Sequence, residues 1–175
     1  MTKLLLKGRV AAVLPENTDT DVIYPGRYLN ITDRDKTAEH LFELAYPDVR
    51  ARIQPGDFLV AGRNFGCGSS REQAAAAVKY AGVGAVIAVS FARIFYRNAI
   101  NLGLPAIVSQ VDAAEGDELA IGLEEGRIEN LTQHREFKAA ALDPRAVELL
   151  EAGGLIPYLK RKVLAGGRAL AGVGL

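Results

Sequence analysis

Short apolar runs alternate with predicted helices through the middle of the chain. Residues 57–62 and 84–90 are brief apolar runs, typical of strands that are covered on both faces. Residues 69–81 and 91–102 are predicted to be helices, and glycines close each of them. Residues 104–109 form another apolar run. This alternation predicts an α/β protein with a βαβαβ core and parallel strands.

The segments before and after this core are less regular. Residues 3–13 predict one or two strands, with a break at Gly8. Residues 33–46 predict a helix with Asp33 as its N-cap. From residue 116 the pattern changes to short strands separated by turns, at 117–121 and 122–130. The apolar positions that support the 33–46 helix are Ala38, Leu41, Phe42 and Ala45.

The end of the chain predicts one more helix and a tail. Residues 143–152 begin with Asp143 and a proline, which is a typical helix start. Residues 166–175 are rich in glycine and alanine, and we expect them to be loose. No internal boundary is visible before them. We therefore expect a single domain over residues 1–165, followed by the Gly/Ala-rich C-terminal tail 166–175.

Composition and charge exclude several classes of protein. Apolar residues make up 49% of the chain, which excludes a disordered protein. No apolar run approaches the roughly 18 residues of a membrane span, and the run after Lys3 is too short for a signal peptide. Cys67 is the single cysteine, which excludes an intramolecular disulfide and favours a cytoplasmic location. The 21 basic and 21 acidic residues balance, so we expect no nucleic-acid partner and no membrane partner.

The segment 62–72 carries the candidate chemistry. A buried strand ends, three glycines follow within seven residues, and Ser69 and Ser70 open a helix. Ser69 and Glu72 have the spacing of a capping box. Glycines let a ligand approach the backbone, a helix N-terminus offers free N–H groups, and Arg71 adds a bidentate cation. The segment therefore predicts a site for a carboxylate or a phosphate, although a plain helix cap explains the same spacing.

Other glycine-rich motifs do not fit this segment. No lysine precedes Ser69, as a P-loop requires, and Arg71 stands where a dinucleotide fingerprint has its third glycine. A serine hydrolase needs a histidine base, and His40 and His134 lie in polar stretches where we expect surface residues. Cys67, between two glycines, is expected to be a small buried residue.

Several motifs together resemble one family. The N-terminal residues 17–29 (NTDTDVIYPGRYL) and the serine motif 62–75 are similar to those of the small subunits of isopropylmalate isomerase and homoaconitase. Residues 90–95, Asn98, residues 103–104 and residues 153–156 follow in the same order. The resemblance covers about residues 4–160.

The resemblance implies a fold, a partner and a catalytic residue. The fold is the β/β/α three-layer swivelling domain of the aconitase type. The partner is a large subunit that holds a [4Fe–4S] cluster, and this chain binds no cofactor or metal itself, in agreement with its single cysteine. By the same resemblance Ser69 is the catalytic serine, whose alkoxide removes a proton next to a carboxylate. Ser70 and Arg71 bind a carboxylate of the substrate.

The loop after Tyr28-Leu29 bears on the substrate. Homoaconitase-like members resemble Tyr-Leu-Arg-Thr there, whereas this chain has Asn30, Ile31 and Thr32. The missing arginine argues against a tricarboxylate, and Ile31 suits an alkyl group, so isopropylmalate is the leading substrate. A methyl-bearing malate stays open because Asn30 is polar, and Arg27 is a candidate to replace the missing arginine. Asn30 as a simple turn residue is the plainer interpretation.

Two alternatives remain from the residues alone. Asp19 and Asp21 fit a metal or acid–base pair, but we favour a role in ordering the loop, because aspartates bond nearby backbone N–H groups. The chain also fits a non-catalytic module that binds carboxylates and works without a partner.

Overall fold

The computed structural model describes residues 5–171 of the chain, and the side chains of residues 5–165. The first half contains β1 (Leu5–Leu14), α1 (Thr20–Ile23), a 3₁₀ helix (Gly26–Tyr28), α2 (Arg34–Glu39), α3 (Pro47–Arg52), β2 (Phe58–Ala61), α4 (Glu72–Tyr80) and β3 (Ala85–Ala88). The second half contains α5 (Arg93–Asn101), β4 (Ala106–Val108), β5 (Glu118–Gly122), β6 (Arg127–Asn130), β7 (Arg135–Lys138), α6 (Pro144–Ala152) and α7 (Leu155–Ala171).

The strands of residues 5–171 form one sheet in the order β4-β3-β2-β1-β5-β6-β7. Strands β1 to β4 pair in parallel. Strands β5, β6 and β7 continue from β1 as antiparallel neighbours. The predicted parallel βαβαβ core is confirmed as β2-α4-β3-α5-β4.

Alternate residues of the parallel strands face two different cores, as the twofold period of a strand requires. One core lies between the parallel strands and the antiparallel strands, and its members include Phe58, Val60, Ile87, Leu119 and Ile128. The other lies between the same parallel strands and the helices, and its members include Leu59, Ala61, Val86, Ala75 and Phe95. This arrangement of β, β and α layers confirms the predicted fold class.

Strand β1 corrects the expectation of a break at Gly8. The strand is continuous from Leu5 to Leu14, with an irregular register between Val10 and Ala12. A Cβ on Gly8 would lie 2.3 Å from the carbonyl oxygen of Gly56. Gly8 therefore lies inside the strand, at a position where the backbone of Gly56 approaches too closely for a side chain.

The predicted helix over residues 33–46 is only partly confirmed. Asp33 is the N-cap, and its carboxylate accepts a hydrogen bond of 2.9 Å from the backbone N–H of Lys36. The helix ends at Glu39, and Phe42 has a φ of 57°, which no α-helix accommodates. Ala45, predicted on the apolar face, is exposed, and α3 was not anticipated.

The C-terminal helices follow the predicted caps. Asp143 caps α6 by accepting a 2.8 Å hydrogen bond from the N–H of Arg145, and Gly153 ends it with a φ of 85°. Helix α7 continues to Ala171, so its backbone enters the expected tail at residue 166, and residues 172–175 lie outside the described part. The division into a domain of residues 1–165 and a tail of residues 166–175 stays a prediction. Strand β7 was not predicted. No described helix is both long and apolar enough to cross a membrane.

Candidate active site

The glycine-rich loop 62–71 lies at the C-terminal end of β2, between the continuations of the two neighbouring strands. On one side the N–H of Gly66 donates to the carbonyl of Thr18 over 2.8 Å, and the N–H of Thr20 donates to Cys67, also over 2.8 Å. On the other side the N–H of Phe65 donates to the carbonyl of Ser90 over 3.0 Å. Ligands of parallel α/β sheets commonly bind at this end of the strands.

The prediction that Ser69 and Glu72 form a capping box is wrong. Helix α4 begins at Glu72, its N-cap is Arg71, and no side chain bonds to the free N–H groups there. Instead, the N–H of Arg71 donates to the carbonyl of Ser69 over 2.9 Å in a tight turn. Within the described residues the Ser69 hydroxyl has no hydrogen-bond partner, and the residue is exposed. The hydroxyl is therefore available to a ligand.

Ser69 lines a cavity of about 490 Å³, together with the first turns of α5. Two arginines of that helix, Arg93 and Arg97, line the same cavity, and neither has an acidic partner among the described residues. No acidic side chain of residues 5–165 lines the cavity. The sequence interpretation missed these arginines, although their spacing of four residues in a predicted helix places them on one face.

Arg71, which belongs to the serine motif 62–75, contacts the N-terminal motif 17–29. Its guanidinium forms an ion pair with Asp21, and Arg71 retains only 18% of its side-chain exposure. A Cβ on Gly26 would lie 3.1 Å from the guanidinium nitrogens. Residues 20–26 thus pack against Arg71, and the carboxylate of Asp21 holds one nitrogen of its guanidinium.

The expected role of Asp19 in ordering its loop agrees with the structure. Its carboxylate accepts a 2.8 Å hydrogen bond from the N–H of Val22 and so caps α1. The next residue, Thr20, is 2% exposed, and its hydroxyl has no hydrogen-bond partner in the described part of the chain. That hydroxyl lies 3.2 Å from the position of a Cβ on Gly68. A buried hydroxyl thus faces the loop that carries Ser69.

Residues 30–32, which we call the specificity loop because they are predicted to contact the variable group of the substrate, lie near a second cavity. Ile31 and Thr32 line this cavity of about 450 Å³, together with Gln73 of α4 and Ile156 of α7. Asn30 is exposed and lines neither of the two cavities. Ser70 is also exposed and lines neither cavity. Of the consecutive residues Ser69, Ser70 and Arg71, the first cavity is lined by Ser69 alone. Ile31 and Thr32 lie at the second cavity, beside the first residues of α4, which directly follow Arg71.

Arg27 belongs to a polar cluster of its own. Its guanidinium lies 3.2 Å from a carboxylate oxygen of Glu43 and 4.8 Å from the centre of the Tyr28 ring. The Tyr28 hydroxyl donates to Glu43 over 2.9 Å, and the same ring stacks on His40 with centroids 3.6 Å apart. Partial desolvation raises the pKa of Glu43, but hydrogen bonds from Tyr28 and His40 and the charge of Arg27 leave it below its usual value.

The remaining candidate residues are structural. His40 is half-buried rather than exposed, because its Nδ1 contacts Glu43 at 2.7 Å. His134 is exposed, as expected. Cys67 is half-buried and forms an isolated parallel bridge with Asp19, which places it in the loop backbone. The described residues include no group of three or more His, Cys, Asp or Glu side chains that could hold a metal ion.

Comparisons with known proteins agree on one family. The family model of the aconitase C-terminal domain matches residues 4–110. A methanogen homoaconitase small subunit from Methanothermobacter thermautotrophicus is 52% identical over 89% of this chain and 92% of its own length. A 3-isopropylmalate dehydratase small subunit from Moorella thermoacetica is 54% identical over 83% of this chain and 89% of its own length.

Two proteins of Methanocaldococcus jannaschii are also similar. An isopropylmalate/citramalate isomerase small subunit is 50% identical over 91% of this chain and 96% of its own length. A crystal structure of 3-isopropylmalate dehydratase from that organism superimposes with a TM-score of 0.89 at 42% identity, over 95% of this chain and 99% of that chain.

Proposed function

This chain belongs to the family of the aconitase C-terminal domain, and from that membership we propose that it is the small subunit of an aconitase-type hydro-lyase. The activity we assign is that of 3-isopropylmalate dehydratase, which interconverts 2- and 3-isopropylmalate by dehydration and rehydration in leucine biosynthesis. The relatives named as small subunits have nearly the same length as this chain, which supports a separate large subunit.

The observation that carries the proposal is the free Ser69 hydroxyl in a cavity lined with arginines. A serine hydroxyl is too weakly acidic to serve as a base at neutral pH. Its alkoxide is stabilised where positive charge gathers, and here the N-terminal end of α4 follows the serine while Arg93 and Arg97 line its cavity. Ser69 then removes the proton from the carbon next to a substrate carboxylate, and it returns a proton when water adds again.

Ser70 and Arg71 are assigned to a carboxylate of the substrate. Arg71 presents a planar fork that suits a carboxylate, and its pairing with Asp21 limits the orientations of the guanidinium. Binding at this position sets the carbon that carries the acidic proton beside Ser69, two residues earlier in the chain. Such positioning contributes to the rate because the reacting groups no longer need to find one another.

The departing hydroxyl needs a Lewis acid, and we assign that role to a cluster outside this chain. A [4Fe–4S] cluster requires several thiolates, and Cys67 is the chain's single cysteine. We assign the cluster to the large subunit, where it would polarise the substrate hydroxyl. The active site is then completed only when the two subunits meet. With one cysteine and no disulfide, a cytoplasmic location fits best.

The specificity loop favours an alkyl-substituted malate. Leu29 and Ile31 line the second cavity together with Leu102, Leu155 and Ile156, which gives this surface an apolar side. Arg27, the candidate replacement for the missing arginine, already faces Glu43 at 3.2 Å. A third carboxylate would therefore compete with Glu43 for this cation. The roles of Arg27, Asn30, Ile31 and Thr32 in substrate binding stay predictions.

Two other substrates belong to the same proposal. The isomerase relative of M. jannaschii carries citramalate in its name, which favours a methyl-substituted malate as the second candidate. The methanogen relative is named for homoaconitase, so homoaconitate belongs in any substrate panel. A non-catalytic carboxylate-binding module would bind malate analogues without a partner. If the active site is instead shared with a large subunit, the isolated chain should bind them weakly or not at all.

The test is an anaerobic pull-down of the tagged chain from its native cells. We expect a larger companion that carries iron and acid-labile sulfide, and an eluate that converts 2-isopropylmalate faster than citramalate or homocitrate. Elution of the chain alone, together with tight calorimetric binding of malate to it, would instead favour the non-catalytic module.

A further inference from the structure

Arg93 and Arg97 are two cations without a charge partner in residues 5–165, the part of the chain whose side chains are described. Both are exposed, and both line the cavity that contains Ser69. Some arginines of the described residues pair with carboxylates, as Arg52 does with Glu115 at 2.6 Å, and others, such as Arg50, do not. The distinguishing feature of Arg93 and Arg97 is that both line the cavity that also contains Ser69.

The positions of Arg93 and Arg97 on α5 are electrostatically unfavourable for the helix. Arg93 is the first residue of α5, where the helix dipole disfavours a cation. Arg97 lies four residues later on the same face, and like charges at that spacing repel each other. The apolar residue between them on the cavity wall, Ile94, offers no compensation. An anion bound between the two guanidinium groups would remove both penalties.

The substrate requires more positive charge than Arg71 provides. A malate derivative carries two carboxylates, and the charge of Arg71 is already balanced by Asp21. Arg71 does not line the cavity that contains Ser69, and the charged side chains that the described structure places on its wall are Arg93 and Arg97. A guanidinium is also the side chain best suited to a planar carboxylate.

We propose that Arg93 and Arg97 form a second carboxylate subsite, which holds the substrate carboxylate that Arg71 does not bind. The assignment rests on the proposed function and adds to it the residues that distinguish a dicarboxylate from a monocarboxylate. A carboxylate held on α5 and another held at Arg71, two residues after Ser69, anchor the substrate at two points. Arg93 and Arg97 thus bind substrate and do not take part in proton transfer.

The first experiment measures steady-state kinetics of the complex with the large subunit. We expect Arg97→Gln and Arg93→Gln to raise KM at least about tenfold with little change in kcat, because a charge-assisted bond is lost in both the ground state and the transition state. Arg97→Lys should recover part of the affinity, since it keeps the charge. Arg127→Gln is the control: it removes an exposed arginine of β6, far along the sheet, and should leave KM unchanged.

The second experiment does not depend on turnover. Phenylglyoxal labels free arginines, and mass spectrometry locates the label in the assembled complex with and without malate. We expect malate to protect Arg93 and Arg97, while the monocarboxylate 2-hydroxyisovalerate protects them much less. A complex that is inactive on every 2-alkylmalate but shows this protection would refute the proposed function and leave the subsite standing.

Two outcomes would contradict the proposal that Arg93 and Arg97 form a carboxylate subsite. Unchanged KM values in an active complex, with no protection by malate, would show that the arginines do not bind substrate. Loss of subunit association in both glutamine variants, again without protection by malate, would assign them to an acidic surface of the large subunit.

Discussion

Gly66 links the catalytic loop to the core, and its replacement tests that link. The residue has a φ of 78°, in the left-handed region that side chains disfavour. A Cβ at this position would lie 2.3 Å from Cγ of Phe95. Phe95 is 1% exposed and packs edge-on against Phe65 with ring centroids 5.1 Å apart, so it has no room to withdraw.

The loss of stability expected for Gly66→Ala has two separate causes. The left-handed conformation costs a non-glycine residue roughly 1 kcal/mol. Forcing a methyl group into a packed core costs about 1–3 kcal/mol more. We therefore expect Gly66→Ala to lower the free energy of unfolding by about 2–4 kcal/mol. Gly116→Ala is the matched control, because Gly116 has a φ of 91° and nothing within 4 Å of its Cβ position.

The assay is urea denaturation of both variants, followed by circular dichroism. With an m-value of about 2 kcal/mol/M, the midpoint should fall by roughly 1–2 M for Gly66→Ala and by roughly 0.5 M for Gly116→Ala. Equal midpoints for the two variants would refute the reasoning, because the contact with Phe95 would then contribute nothing. Reconstituted activity of Gly66→Ala should fall as well, since the loop between Gly66 and Ser69 shifts with the clash.

Three further predictions concern the walls of the site and the sheet. Thr20→Val should raise the free energy of unfolding by about 1 kcal/mol in denaturation, because it removes a buried hydroxyl without a partner; no gain would mean that the hydroxyl is bonded. Asp21→Asn should change stability by less than about 1 kcal/mol but lower kcat/KM roughly tenfold, and a double-mutant cycle with Arg71→Lys should be non-additive; additive effects would separate the two residues. The N–H of Ala114, and then Asn130, hold the pKa of Asp117 below its usual value, so its contribution is full above about pH 4 and is lost as pH falls through the lower native pKa. Asp117→Asn should therefore flatten the loss of stability below that pH in denaturation series, and an unchanged acid limb would contradict the assignment.

The parts of the fold that depend on a clear period were predictable from the sequence. The buried runs at 57–62 and 84–90 became β2 and β3, because strands covered on both faces are apolar throughout. Helix α6 followed from its aspartate cap and proline. The helix over residues 33–46 failed because local spacing does not reveal that Phe42 turns into the left-handed region, where the N–H of Phe42 donates to the carbonyl of Ile23 over 2.9 Å.

The site itself was only partly predictable. The position of Ser69 at the end of a strand followed from the motif, but its supposed capping bond did not form, since the turn from Ser69 to Arg71 places the cap two residues later. The Asp21–Arg71 pair joins residues 50 positions apart, and sequence spacing gives no information about such a contact. Arg93 and Arg97 were overlooked because two exposed arginines on a helix are ordinary until a cavity is known beside them.

The central claim is that Ser69 is the base of a site completed by a large subunit. The most direct measurement compares the wild-type chain, Ser69→Ala and Ser70→Ala, each combined anaerobically with that subunit, by following formation of the unsaturated intermediate from 2-isopropylmalate. We predict that Ser69→Ala co-elutes normally with the large subunit, binds substrate, and loses turnover by several orders of magnitude, whereas Ser70→Ala mainly raises KM. Near-normal turnover by Ser69→Ala in an intact complex would contradict the account.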